Sequence, residues 1–401
     1  MRIDFRIIHL HKRVPLAISR GVSAGSDNLF VRVKHGGASG CGEMAAGAAS
    51  AADGEVALRE FCAGLNVGDA AFGGDSGGDS GGDPGDDGVA AAPGITEIYD
   101  RALRRGVPAN ALAALDMALW DGLARRAGMP LYQLVGLGRP TVPTSITLGI
   151  STPAVARERV PQLLGDGSGD GGNKFRALKI KLGSPAGIDA DQAMFAAVLQ
   201  ALRDMGDPAR AVQLRVDANG GWNVRDAQTM LQWLATRGVE FVEQPLAAGN
   251  EAALPALYKN RPLPIVVDES CCFASDIPAF AAAVDGVNLK LMKCGGITGA
   301  LRIIAVARAH RLKTMVGCMN ESSLSIAAAA ALGGALDTID LDSHFNLHPD
   351  PCRGPQLLDG VVMPPETPGH GAEVIGGFDG GNIDNGGNES KDSGDDRAAS
   401  C

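Results

Sequence analysis

The chain has 401 residues, 45% of them hydrophobic, which is enough for a sizeable core and excludes disorder over the whole length. Its 46 acidic side chains outnumber 36 basic ones, and aromatics make up only 4%, so nucleic acid and anionic lipid are poorly matched partners. None of the 8 cysteines forms a C-x-x-C pair, so zinc and redox centres are not indicated and a reduced, cytoplasmic setting is expected.

The first 16 residues mix apolar side chains with Arg2, Asp4, Arg6, Lys12 and Arg13, which is not the composition of a secretory leader. Leu29–Lys34 reads as a strand. Residues 73–88 are almost wholly Gly, Asp and Ser and predict a solvated, flexible insertion. From Asn110 to Ala127, leucines at 112, 115, 119 and 123 recur at helical spacing, with Asp116, Asp121, Arg125 and Arg126 read as the charged remainder. Gly128 and Pro130 stop this helix. Residues 1–138 therefore form an α+β unit.

From about residue 141 the texture changes to alternating strands and helices. Apolar runs at Thr144–Gly149, Ala177–Leu182, Gln213–Asp217, Val239–Glu243, Pro264–Asp268, Val287–Leu291, Lys313–Gly317 and Thr338–Asp342 are separated by helical stretches such as Asp191–Met205, Val224–Thr236, Ile297–His310 and Glu321–Leu332. Eight such units predict an α/β fold, a (β/α)8 TIM-like barrel over 139–355. A doubly wound open sheet is the alternative, although no G-x-G-x-x-G follows an early strand. The longest apolar run, Ile326–Leu336, is too short to span a bilayer. Residues 165–173 and 376–401 are again Gly- and Asp-rich, and the tail is expected to be disordered.

The chemistry sits at the strand ends. Asp217, Glu243 and Asp268 each close an apolar run, with spacings of 26 and 25, one βα unit apiece. They therefore emerge together at the end of a barrel where active sites lie. Three unpaired carboxylates in one place repel, and a divalent cation relieves this; all-oxygen ligation favours Mg²⁺ or Mn²⁺. Each acid alone is also explained as a helix N-cap. In ALKIKL, Lys179 and Lys181 are two apart and share a strand face. Lys290 interrupts a later run, 22 residues after Asp268. Lys181 then lies on the second strand and Lys290 on the sixth, opposite each other in a ring of eight. Two opposed amines beside a cation suit proton transfer on both faces of a carbon next to a carboxylate, through an enediolate. Lys181 and Lys290 are the candidate bases, and Lys179 a tuner and carboxylate binder. Surface lysines are the plainer alternative, and Lys293, further into the loop, is read as one.

The strings ALKIKLG, RVDANGGW, VEQPL, VVDES and NLKLMKCGGIT, in this order, together with SGCGE at Ser39–Glu43 and the run Ala114–Gly136, resemble the enolase superfamily in its muconate-lactonising branch. The resemblance covers most of residues 1–370. It implies a modified barrel with an N-terminal capping domain to which 356–375 returns. It also implies one Mg²⁺ on Asp217, Glu243 and Asp268, and enolisation of a carboxylate. Within the superfamily the chain most resembles the dipeptide epimerases, which act on L-Ala-D/L-Glu and related L-Ala-X dipeptides. In IDLDS, Asp340 and Asp342 match the acid pair that binds the substrate α-ammonium. Arg20 in ISRG matches an arginine that holds a glutamate side chain, and Thr147, Cys318 and Asn320 would line the pocket. The alternatives are cycloisomerisation, o-succinylbenzoate synthesis, N-acylamino acid racemisation, or a barrel that binds a ligand without turnover. A homo-oligomer is compatible with the resemblance, and the substrate is expected to be the partner that matters.

Overall fold

The computed structural model describes residues 2–35, 37–65, 93–165, 175–206 and 212–378. The stretches expected to be solvated fall outside them: all of 73–88, all of 165–173 except Gly165, and the tail beyond 378.

The chain opens with a long antiparallel hairpin, β1 (Arg2–Ile18) and β2 (Gly21–His35), and β3 (Ala38–Met44) pairs with β2. Alternation along β2 decides its two faces. Leu29, Val31 and Val33 join a core with helices α1 (Ala51–Ala63), α2 (Ile95–Arg104) and α3 (Ala109–Arg126). Phe30 points the other way and packs on Leu324 and Ala327 of a barrel helix. The hairpin therefore has one face for its own helices and one for the barrel.

Eight parallel strands follow: β4 (Ser145–Leu148), β5 (Ala177–Lys181), β6 (Gln213–Asp217), β7 (Val239–Glu243), β8 (Ile265–Val267), β9 (Gly286–Leu289), β10 (Lys313–Val316) and β11 (Thr338–Ile339). They lie in sequence order, and a parallel bridge from Thr144 to Ile339 joins the two ends. This is the barrel and not the open sheet. Arg215 staples the seam from inside. Its buried Nη1 donates to Ser145 Oγ on β4 at 2.8 Å and to the Ile339 carbonyl on β11 at 2.9 Å.

The helix predicted at Asn110–Ala127 is α3, but its charges are not all solvated. Asp116 and Asp121 are fully buried because each satisfies backbone from another element. Asp116 accepts from Thr298 N (2.9 Å) and Thr298 Oγ1 (2.6 Å), capping the barrel helix Ile297–Ala309 from outside. Asp121 accepts from the amides of Cys41 and His370, both at 2.9 Å, and from Arg125 at 2.8 Å. These two acids tie the N-terminal unit to the barrel and to the returning C-terminal segment. Among the described residues, no helix is long and apolar enough to cross a membrane.

Candidate active site

Parallel register sets the metal-ligating candidates level. Asp217 pairs with Lys181 on one side and Glu243 on the other. Asp268 follows the last residue of β8. All three acids are fully buried, and one oxygen from each lies within 4.8 Å of the others. Burial raises Glu243, and Asp217 beside it raises it further, to about 8. Burial also opposes ionisation of Asp217 and Asp268, but Lys181 and Lys179 outweigh it for the first, and Lys290 and Lys293 for the second, so both are held below the usual carboxylate range. Glu243 Oε2 and Asp268 Oδ2 accept no hydrogen bond, although a lysine Nζ lies 2.7 Å from each. Buried, oxygen-only, and with two oxygens that accept no hydrogen bond, this set fits a hard divalent cation.

The two candidate bases meet this cluster from different sides. Lys181 Nζ on β5 is 2.5 Å from Asp217 Oδ2, and Lys290 Nζ after β9 is 2.7 Å from Asp268 Oδ2. Their strands stand four places apart in the ring of eight. Burial lowers Lys290, but the Asp268 carboxylate more than offsets this and favours the ammonium. Lys179 is buried among three carboxylates, at 2.7 Å from Glu243, 2.7 Å from Asp340 and 3.1 Å from Asp217.

Lys293 is not the exposed loop lysine that its position predicts. A short helix, Leu291–Cys294, turns the chain back after β9, closed by Gly295 in the left-handed region at φ 78°. This swings Lys293 Nζ to 2.5 Å from Asp268 Oδ1, with further bonds to the carbonyls of Asp268, Cys271 and Asn288. Its side chain is 8% exposed. It anchors the oxygen of Asp268 that Lys290 does not touch. Three other neighbours were also not singled out from the sequence. Asn219 donates its amide to Asp217 Oδ1 at 2.8 Å, Asn288 donates to Glu243 Oε1 at 2.9 Å, and Gln244 Oε1 accepts the Asp268 amide at 2.7 Å. Asn219 and Gln244 have positive φ, 43° and 36°. Gln244 directly follows β7 and Asn219 lies two residues beyond β6, and a left-handed backbone at these places marks them.

Above the acids lies a cavity of about 770 Å³, lined by Lys179, Lys181 and Lys290 and roofed by the hairpin. Asp340 and Asp342 line it from just beyond the end of β11, which pairs only at Thr338 and Ile339, so they are not within the strand as expected. Asp340 Oδ2 is held by Lys179, and its buried Oδ1 has no hydrogen-bond partner. Asp342 Oδ2 accepts the Thr147 amide at 2.7 Å, and the Cys318 thiol lies 3.8 Å from Oδ1. Burial and the Asp340 charge push Asp342 up to about 6. Asp340 thus has one oxygen without a partner, and Asp342 one with only a long thiol contact. Asn320 donates to Ser26 Oγ at 2.7 Å, joining the end of β10 to the hairpin. Arg20 is at the cavity mouth, paired with Glu269 at 2.7 Å.

The model of the enolase C-terminal domain-like family matches residues 161–376, and that of the mandelate racemase / muconate lactonizing enzyme N-terminal domain matches 91–136. A hydrophobic dipeptide epimerase of Flavobacteria bacterium (strain MS024-2A) is 52% identical over 93% of this chain and 98% of its own. Another, from Roseobacter litoralis, is 51% identical over 92% of this chain and 98% of its own. The crystal structure of a dipeptide epimerase from Cytophaga hutchinsonii, complexed with Mg and D-Ala-L-Val, superposes with a TM-score of 0.79 at 25% identity, over 93% of this chain and 95% of that one. The chain belongs to the mandelate racemase / muconate lactonizing enzyme family, built on an enolase-like C-terminal domain.

Proposed function

We propose that the protein is a Mg²⁺-dependent dipeptide epimerase that inverts Cα of the C-terminal residue in L-Ala-X dipeptides, with apolar X preferred. One observation carries this reading. Two buried amines, one from β5 and one just beyond β9, engage the outer members of one acidic triad. A substrate carbon between them is exposed to one amine on each face.

Asp217, Glu243 and Asp268 would hold the cation, whose charge polarises the substrate carboxylate and makes the neutral form of the flanking amines more accessible. One lysine, as the free amine, takes the Cα proton through its Nζ lone pair. The other, as the ammonium, returns a proton to the opposite face. The exchange is redox-neutral, and the two nitrogens trade protonation states with each inversion. Lys179, bound by three carboxylates, is committed to charge balance and to fixing Asp340. Asp340, whose Oδ1 has no partner, and Asp342, whose Oδ1 has only the long thiol contact from Cys318, pair with the substrate α-ammonium and so orient the dipeptide.

The relatives' names support apolar X. So does the cavity wall near the hairpin tip, where Leu16, Ile18, Val22, Leu148 and Val155 face the space. The test is incubation of L-Ala-X libraries in D₂O with mass-spectrometric readout. Deuterium at Cα of X and formation of the second epimer are expected. Lys181→Ala and Lys290→Ala should each reduce epimerisation by about 10²–10⁴-fold. A wild-type enzyme that labels no L-Ala-X dipeptide overturns the proposal.

A further inference from the structure

We infer that Lys12 extends the site to dipeptides whose first residue carries a carboxylate, as the cation that receives this side chain; this rests on the dipeptide epimerase reading. The hairpin is irregular where it borders the cavity. His11 pairs with Gly25 and Leu16 with Ser23, so residues 12–15 of β1 stand against Ala24 alone. The surplus bulges from β2 and docks on the segment that follows Asp342. Lys12 bridges to Leu347, and the Val14 amide and carbonyl are both held by the Asn346 side chain, at 3.0 and 2.8 Å. Lys12 is thereby fixed on the cavity wall, in the quarter where Asp342 and Cys318 lie.

This half-buried ammonium lacks a counter-charge. Its Nζ donates to Ser23 Oγ at 3.0 Å, and among the described residues no carboxylate forms an ion pair with it. Burial disfavours the charged amine, and Cys318 and Asp342 oppose this. The acids of this quarter are already matched, Asp340 by Lys179 and Asp342 by the substrate ammonium in the proposed complex. Lys12 is therefore a positive charge in excess at the amino-terminal end of the substrate. A first-residue side chain branches from the carbon that bears the ammonium, so it opens beside Asp342, on the side of the cavity that Lys12 lines. A partly desolvated ammonium with one neutral partner gains most from an anion. Arg13 also borders the cavity and is the other cation such a side chain would meet, although its Nε is bound to the Leu347 carbonyl at 3.0 Å.

L-Glu-L-Leu against L-Gln-L-Leu, and L-Asp-L-Leu against L-Asn-L-Leu, compare a carboxylate with an uncharged group of the same shape. We expect kcat/KM, read as deuterium entering Cα of Leu, to favour the acid about tenfold in at least one pair, the scale of one charge-assisted hydrogen bond at a half-buried site. The preference should sit in KM, because Lys12 touches no reacting atom. Lys12→Gln, which keeps a donor for Ser23 Oγ, should abolish it, and Lys12→Arg should retain it. Equal values for acid and amide in both pairs in the wild type overturn the inference. So does a preference that survives Lys12→Gln, which would belong to Arg13. Calorimetry on the same four dipeptides reads the difference as a ratio of Kd values, independent of turnover. If no dipeptide is labelled, L-Ala-L-Leu included, the proposed reaction fails, and the calorimetric ratio still decides on Lys12.

Discussion

Asp342→Asn tests the proposed role of the acid pair in binding the substrate ammonium. Asp342 Oδ2 is occupied by the Thr147 amide at 2.7 Å, and an Asn carbonyl oxygen can keep that bond. Oδ1 has only the Cys318 thiol at 3.8 Å, a long contact, so this is the oxygen that the proposal assigns to the substrate ammonium. The variant loses one charge-assisted hydrogen bond and turns an NH₂ toward a cation. A bond of that kind contributes about 1.5–3 kcal/mol, which corresponds to a loss of about 10- to 150-fold in kcat/KM. Deuterium incorporation at Cα, followed for a free L-Ala-X and for the matching N-acetyl-X, gives the comparison. The free dipeptide should suffer the whole loss, and the ratio of the two rates should move toward the acylated substrate. A variant within about twofold of wild type on the free dipeptide would show that the acid pair does not bind the amine. The same group gives a pH signature. Burial and Asp340 raise Asp342 to about 6, so in the free enzyme the carboxylate is lost as pH falls through that value. Since only the ionised form attracts the ammonium, kcat/KM for the free dipeptide should fall further on the acid side of about 6 than the fall shared with N-acetyl-X, which comes from protonation of the base lysine, and Asp342→Asn should lose this extra fall.

Two predictions concern the scaffold and the cation. Arg215→Met removes the donors to Ser145 and Ile339 across the barrel seam. It should cost about 2–4 kcal/mol in urea unfolding, and a change below about 0.5 kcal/mol would mean that the seam holds without it. Mg²⁺ at a hundred times its Kd should stabilise the wild type by about 2.7 kcal/mol in thermal unfolding. Glu243→Gln should lose most of that gain, and an equal gain in the variant would place the ion elsewhere.

The residues legible from sequence share one property: their position follows from counting along strands. Asp217, Glu243 and Asp268 end consecutive runs one βα unit apart, so a barrel of any detailed shape must bring them to one end. Lys179 and Lys181 share a face because side chains alternate. Counting fails as soon as the chain leaves the strand. Lys293 reads as a loop lysine until the turn Leu291–Cys294 sends it back to Asp268. Asp116 reads as solvated because helical periodicity cannot register that the start of a helix 182 residues away needs a cap. Arg20 and Glu269 are 249 residues apart, and nothing local to either links them. This division has a physical cause. Ladder hydrogen bonds repeat, so they leave a period in the sequence, whereas a single ion pair between two loops leaves none. The chemistry of proton transfer, carried on strand ends, is therefore readable ahead of the structure. The contact between the hairpin turn and the loop after Asp268, an ion pair of Arg20 with Glu269, belongs to the second kind, and only the folded chain brings its two residues together.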